Sequence, residues 1–289
     1  LKRFMPAVLS GGVFQINIVI DTLLASFLGI GSVSFLYYAD RLVQLPLGII
    51  GVALGTTLLS SLSKPMVSKN KTQTAIQFEK AIKISLFFGL PAMLVLLIFP
   101  EIIVNSLFKR GNFSFEESSQ TILALICYSL GVPFLIVSKS CQAVFLASGQ
   151  TNKILYIAIF QLISNIILSI ILMQFLDHGG IALATSISTF CGCVFYFKLI
   201  FDQKKIRLGE FNLKKEEGLI YLIKYFFEIL TCSFLMIGFL KLLSFFFNYI
   251  NLEVSIIYII IFSVMGGSFY FFIAFLTKKL PIELFKKLK

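Results

Sequence analysis

Charged side chains are scarce: Asp, Glu, Lys and Arg make up only 13% of the 289 residues, against 58% hydrophobic. A water-soluble domain carries about 25% charged and 45–50% apolar residues. One soluble core cannot hide that excess, because cores stop growing at roughly 250–300 residues. The mean hydropathy of +0.94 points the same way, and the chain reads as an all-α integral membrane protein. Histidine occurs once, as His178 in the short turn Asp177-His178-Gly179-Gly180, which reads as a plain loop, and no nucleophile–base arrangement is present. A GxxxxGK phosphate loop is missing, so no ATP motor is encoded. The five cysteines (Cys127, Cys141, Cys191, Cys193 and Cys232) fall inside apolar runs without CxxC or Cys/His spacing. They read as small buried residues rather than zinc ligands or disulfides. Tryptophan is absent beside 33 Phe and 10 Tyr, a bias of the kind AT-rich codons give. An initiator Met and a signal peptide are lacking as well: Leu1-Lys2-Arg3-Phe4 runs straight into a hydrophobic segment, as expected for a piece of a longer chain.

What the chain has is long apolar runs. A membrane helix needs about 20 mostly apolar residues, and eight stretches qualify: residues 5–28, 33–59, 76–99, 117–147, 153–175, 180–201, 220–247 and 254–276. They are continuous rather than short and alternating, which excludes a β-barrel. With the N-terminus inside, most of the 25 basic residues fall on the inner side: Lys2 and Arg3; Lys64, Lys69, Lys71, Lys80 and Lys83; Lys153; Lys198 to Lys224; and Lys278 to Lys289. The outer loops hold Lys109 and Arg110, and Lys241 lies near an outer helix end. Positive residues stay on the cytoplasmic side, so both ends of this chain are expected there. The net charge of +11 is thereby a topology signal, and no nucleic-acid partner is implied. The charged loop 202–217 separates six helices from a final pair, so residues 1–205 form one unit and 206–289 a second. The stretch 278–289 has the pattern of an amphipathic helix on the inner surface, and 101–108 of a similar interfacial turn on the outer side.

Pro46, Pro91 and Pro133 interrupt three of the first six spans. Each removes a backbone donor, and in a membrane the freed carbonyls must be taken up by neighbours or a wet cavity. Three breaks in six helices favour a hinged transporter. Gly51 and Gly55 form a GxxxG after Pro46, a small-residue face suited to tight packing within the bundle.

Ionisable groups at bilayer depth cost at least about 2.5–3.5 kcal/mol each on insertion scales. Arg41, eight residues past Val33, lies about 12 Å below the outer surface at 1.5 Å per residue. Asp40 is its sequence neighbour, so the two side chains diverge around the helix. Arg41 therefore either faces a hydrated cavity, where its donor fork suits phosphate oxygens, or pairs with a carboxylate of another helix. Lys139 either snorkels to the inner headgroups or lines the same cavity. Lys224 and Glu228, four apart, read as a self-neutralising pair. Asp21 has oxygen-bearing company in Asn165 and Ser169, one turn apart, and in Thr185. Such oxygens suit a hard cation such as Na⁺ or ordinary interhelical hydrogen bonds.

The run from Gly31 to Ser63, containing Tyr38-Ala39-Asp40-Arg41, resembles the MurJ (MviN) lipid II flippase family of the MOP (multidrug/oligosaccharidyl-lipid/polysaccharide) exporter superfamily. So do Ala25–Leu28, Leu107–Phe113 and Gly180–Ser186, and the likeness is strongest over residues 1–200. The family's fold has two six-helix lobes and two extra helices. The resemblance implies that this chain holds the second lobe and the extra pair, with the first lobe as its partner. By resemblance Arg41 is a cavity arginine, with Asp40 beside it, Ser34 on the cavity-lining part of the same helix and Lys139 where some relatives carry a lysine. It further implies a Na⁺ site of Asp21, Asn165, Thr185 and the Ile181 carbonyl, with Ser169 in place of a second acid. A groove for a lipid tail is implied on the extra helices, matching Phe226, Phe227, Phe234 and Phe239. No cofactor other than this Na⁺ is implied.

The expected activity is alternating-access transfer of lipid II, an undecaprenyl-diphosphate-linked disaccharide pentapeptide, across the bacterial cytoplasmic membrane. The expected protein is a transporter rather than an enzyme. Three alternatives stay open: a flippase for another polyprenyl-diphosphate glycan, a cation-coupled multidrug exporter of the same superfamily, and a membrane scaffold that would tolerate loss of Arg41.

Overall fold

The computed structural model describes residues 4–67, 71–108, 111, 113–202, 215–249 and 256–281, and among them every regular element is a helix. In order these are α1 (Phe4–Ser26), α2 (Ser32–Pro46), a π-helical turn (Leu47–Val52), α3 (Ala53–Val67), α4 (Lys71–Ile98), α5 (Pro100–Phe108), α6 (Phe115–Ser129), α7 (Val132–Ala147), α8 (Thr151–Asp202), α9 (Lys215–Tyr249) and α10 (Ile256–Leu276). By length and composition six helices can cross a membrane, and the bent α6–α7 pair adds a seventh. The expected count of eight divides the 51-residue apolar stretch of α8 in two. Asp177 breaks that helix with φ 48° and ψ −132°. Asn165 bonds to Thr185 and Gly192 lies against Gln161, so the two halves run back along one another. A Cβ on Gly180 would sit 2.3 Å from the backbone of Leu172, so the reversal admits no side chain there. His178 is not a plain loop residue: it is buried, its Nε2 lies 2.9 Å from the Gln120 carbonyl and its ring packs on Phe35.

The three prolines act differently. After Pro46 the backbone widens into the π-turn, one of the identifiable causes of a helix irregularity. Pro133 opens α7 beyond a 43° bend from α6. The carbonyls released at that bend are taken up by Ser186, whose hydroxyl donates to Cys127 O at 2.7 Å and Tyr128 O at 3.2 Å. Pro91 is accommodated inside the unbroken α4. Gly31, at φ +95°, turns the chain from α1 into α2. A reciprocal cap starts α6: Glu117 N donates to Ser114 Oγ and Ser114 N to Glu117 Oε2, satisfying two orphan donors. The outer segment expected as an interfacial turn is the short helix α5, with Val104 buried and Asn105 accepting from Ser118 at 2.6 Å.

Two apolar cores result. One joins α1, α2, α6, α7 and the second half of α8, with Leu36, Ala39, Leu125, Val132 and Ile181 buried in it. The other joins α3, α4, α7 and α8 to α9 and α10, around Leu62, Phe87, Phe145, Tyr196 and Tyr258. The final pair is tied to α4 by Tyr270, whose hydroxyl donates to Phe87 O at 2.7 Å. The GxxxG face lies against α7, where a Cβ added at Gly51 would meet Lys139 and Ile136 at 3.6 and 3.7 Å. All five cysteines are free, four of them buried and Cys191 half-buried. The unit boundary at 205–206, Lys2, Arg3, Lys109 and Arg110 lie outside the described residues; of the tail helix expected over 278–289, Lys278 to Pro281 are turn and irregular backbone rather than helix and the rest lies outside them.

Candidate functional site

Helix α2 buries Ser32, Leu36, Ala39, Leu42 and Val43. Its opposite face carries Ser34, Tyr37 and Arg41 and continues into Leu45 and Ile49, all exposed. Spacing of three and four residues places the first three on one stripe. The Arg41 guanidinium lies over the Tyr37 ring, 4.6 Å from its centroid, and its Nη1 donates to Gln44 Oε1 at 3.2 Å. The Gln44 amide nitrogen donates in turn to Asp40 Oδ2. Arg41 thus holds its charge beside Asp40 without direct pairing, and among the described residues no carboxylate forms an ion pair with it. Of the two sequence readings, an ion pair with a carboxylate of another helix finds no such partner among the described residues. Sequence reasoning passed over Tyr37 and Gln44, although positions four before and three after Arg41 are its helix-face neighbours.

Lys139 stands apart from this group. Half-buried on α7, it flanks Gly51 and Gly55 and directs its ammonium over the Phe14 ring of α1 at 5.8 Å. Among the described residues no hydrogen bond or ring contact joins it to Arg41.

The five oxygen-bearing positions proposed for a cation do come together. Thr185 Oγ1 donates to Asp21 Oδ2 at 3.4 Å and to Ile181 O at 3.1 Å. Asn165 Nδ2 donates to Thr185 Oγ1 at 3.0 Å, and Ser169 Oγ to Asn165 Oδ1 at 3.4 Å. Helix α1 supplies Asp21 and the two halves of α8 supply the rest. Asn17, one turn before Asp21, joins them by donating to Asp21 Oδ2 at 3.1 Å. Asp21 Oδ1 and Asn17 Oδ1 are buried with no hydrogen-bond partner. A buried acceptor left unsatisfied costs about 1–3 kcal/mol, more when charged. The donor set is one carboxylate with neutral oxygens, and among the described residues no three His, Cys, Asp or Glu side chains gather as a metal cluster. Hard cations take oxygen ligands, and a single carboxylate matches a single positive charge, so the residues fit Na⁺.

Between α4, α7, α8 and α9 lies an apolar groove of about 190 Å³, lined by Ile82, Leu86, Phe134, Val137, Phe190 and Phe226 among others. The four phenylalanines expected to share one face do not. Phe226 lines the groove, Phe227 and Phe234 point outward and exposed, and Phe239 stacks on Phe269 at 4.2 Å. Residues 226 and 227 lie about 100° apart on a helix of 3.6 residues per turn, so proximity in sequence separated them. Glu228 also differs from expectation: it pairs with Lys279 from beyond α10 at 2.6 Å rather than with Lys224.

Residues 1–275 match the family described as lipid II flippase MurJ. The chain belongs to that family. It is 32% identical over 280 residues to a probable lipid II flippase MurJ of Rickettsia prowazekii (strain Madrid E), covering 94% of this chain and 52% of the relative. It is 34% identical over 194 residues to that of Vibrio cholerae serotype O1, covering 67% and 37%. The chain thus spans about half the length, or less, of the curated relatives it matches. A solved lipid II flippase MurJ in an inward closed conformation superimposes with a TM-score of 0.77 at 27% identity, covering 96% of this chain and 54% of that one. An outward-facing multidrug resistance MATE family transporter of the MOP superfamily shares the fold, with a TM-score of 0.56 at 17% identity over 92% of this chain and 61% of that one. MurJ membership agrees with the Tyr38-Ala39-Asp40-Arg41 resemblance and with a multi-pass helical membrane protein.

Proposed function

We propose that this chain forms the second lobe and extra helix pair of a flippase that carries lipid II from the inner to the outer leaflet of the bacterial cytoplasmic membrane, in partnership with a first six-helix lobe. The observation that carries this reading is the Arg41 guanidinium, exposed on α2 and unneutralised by any described carboxylate. A diphosphate headgroup crossing hydrocarbon bare would lose its hydration at prohibitive cost. Fixed donors in an alternating-access cavity replace that water, and Arg41 offers them in the planar fork that phosphate oxygens accept. Asp40 and Gln44 orient the fork, Ser34 lines the same stripe, and Lys139 adds positive charge deeper in the lobe.

The apolar groove beside α9 takes part of the polyprenyl tail, which stays at membrane depth throughout. Asp21, Asn165, Ser169, Thr185 and the Ile181 carbonyl hold Na⁺. A bound Na⁺ would supply the positive charge that the Asp21 carboxylate lacks, held by residues of α1 and of the α8 hairpin. Both chain ends face the cytoplasm. In reconstituted vesicles Arg41→Ala abolishes transfer of lipid II to the outer leaflet, and Arg41→Lys, a point charge without the fork, restores little of it. Full transfer by Arg41→Ala removes Arg41 from this role.

A further inference from the structure

Asn17 was not among the residues that sequence or resemblance placed at the cation site, yet it is bonded into it. Its amide nitrogen holds Asp21 Oδ2 at 3.1 Å, while its own Oδ1 is buried without a donor. One helical turn on, Asp21 Oδ1 is in the same condition. Residues four apart share a helix face, so α1 presents two orphaned oxygens where it meets the α8 hairpin. No lysine or arginine pairs with Asp21 among the described residues, and a buried carboxylate demands a positive partner. A hydroxyl or amide donor would satisfy one oxygen and leave the charge; a bound cation supplies both a contact and the opposite charge.

We propose that Asn17 is a further ligand of the Na⁺ site, its Oδ1 supplying from α1 an oxygen that Ser169 does not supply as charge from α8. This rests on the cation reading above and deepens it. A carboxylate at position 169 would make the cage dianionic; with Ser169 it carries the single charge of Asp21. Asn17 then raises the number of oxygens without raising the charge, which suits a monovalent ion over a divalent one.

The test is binding, not transport. The full chain is purified in detergent, and its melting temperature is followed as NaCl replaces choline chloride at constant ionic strength, with ²³Na line broadening as a second readout. Wild type is expected to show saturable stabilisation by Na⁺ that Asp21→Asn removes. Asn17→Leu is expected to shift the Na⁺ midpoint about tenfold upward, in the range typical when a group supporting a metal site is lost. Asn17→Asp keeps the oxygen, adds a charge and lowers the midpoint. A wild-type protein indifferent to Na⁺ overturns the cation reading and this inference together. Wild-type stabilisation with an unchanged midpoint in Asn17→Leu overturns the role of Asn17 alone. Should Asn17→Leu fail to fold, an unchanged midpoint in Asn17→Asp does the same.

Discussion

The hydroxyl of Ser186 donates to the carbonyl oxygen of Cys127 at 2.7 Å, bridging the second half of α8 to the place where α6 ends and Pro133 starts α7. In a bilayer no water satisfies a carbonyl freed by a helix break, so at the 43° bend this side chain serves Cys127 O, and the Gly131 amide at 3.0 Å shares Tyr128 O with it. The fit is close: a Cβ on Gly131 would stand 2.9 Å from the Ser186 oxygen. Ser186→Ala removes the donor to Cys127 O, while Tyr128 O keeps the Gly131 amide at 3.0 Å, and about 1–2 kcal/mol of stability is expected to go with it. Ser186→Thr keeps the hydroxyl but adds a methyl against Gly131. Thermal denaturation in detergent should rank wild type above both variants.

How far the sequence was legible follows from the reach of its signals. Span limits and the breaks at Pro46 and Pro133 could be read because each depends on local composition or on one residue's backbone chemistry. The cluster of Asp21, Asn165, Ser169 and Thr185 spans more than 160 residues of chain, and nothing local requires those oxygens to meet; family resemblance suggested it and the α8 hairpin brings it about. Asn17 and Gln44 were legible in principle, as helix-face neighbours of Asp21 and Arg41, but a neutral amide carries no insertion penalty large enough to draw notice. The Phe226–Phe239 stretch misled because apolar residues on a membrane helix are at home facing lipid, groove or protein alike.

The Glu228–Lys279 pair illustrates the same limit. Spacing of four residues pointed to Lys224, but the end of α10 brings Lys279 within 2.6 Å. Both side chains are about a quarter to a third exposed, so the contribution is modest, about 0.2–1 kcal/mol. A double-mutant cycle on Glu228→Gln and Lys279→Ala is expected to show coupling of that size, and the same cycle with Lys224→Ala to show none.

Glycine positions separate sharply. At Gly180 a methyl would press into the Leu172 backbone, which cannot move without opening the hairpin that carries His178, Ile181 and Thr185. Gly180→Ala is therefore expected to cost about 3 kcal/mol or more, seen as loss of folded protein after detergent extraction. At Gly51 the methyl meets only the flexible end of Leu47, with Lys139 and Ile136 at 3.6 and 3.7 Å. Gly51→Ala should stay within about 0.5 kcal/mol of wild type, despite the GxxxG spacing.

Tyr37 gives the headgroup reading its most selective check. The Arg41 guanidinium rests on the Tyr37 ring face at 4.6 Å, a contact worth about 0.5–1 kcal/mol when exposed. Such a platform leaves the edge donors of the fork unobstructed, which an ion pair would not. Tyr37→Phe keeps the ring face and should bind a polyprenyl diphosphate as wild type does. Tyr37→Leu loses the face, lets the fork swing, and is expected to weaken binding about two- to fivefold, the affinity equivalent of that contact. The difference between the two variants should vanish in an Arg41→Ala background, where no cation remains for the ring to hold. Equal losses in Tyr37→Phe and Tyr37→Leu would assign the effect to the phenol hydroxyl and take the ring platform out of the mechanism.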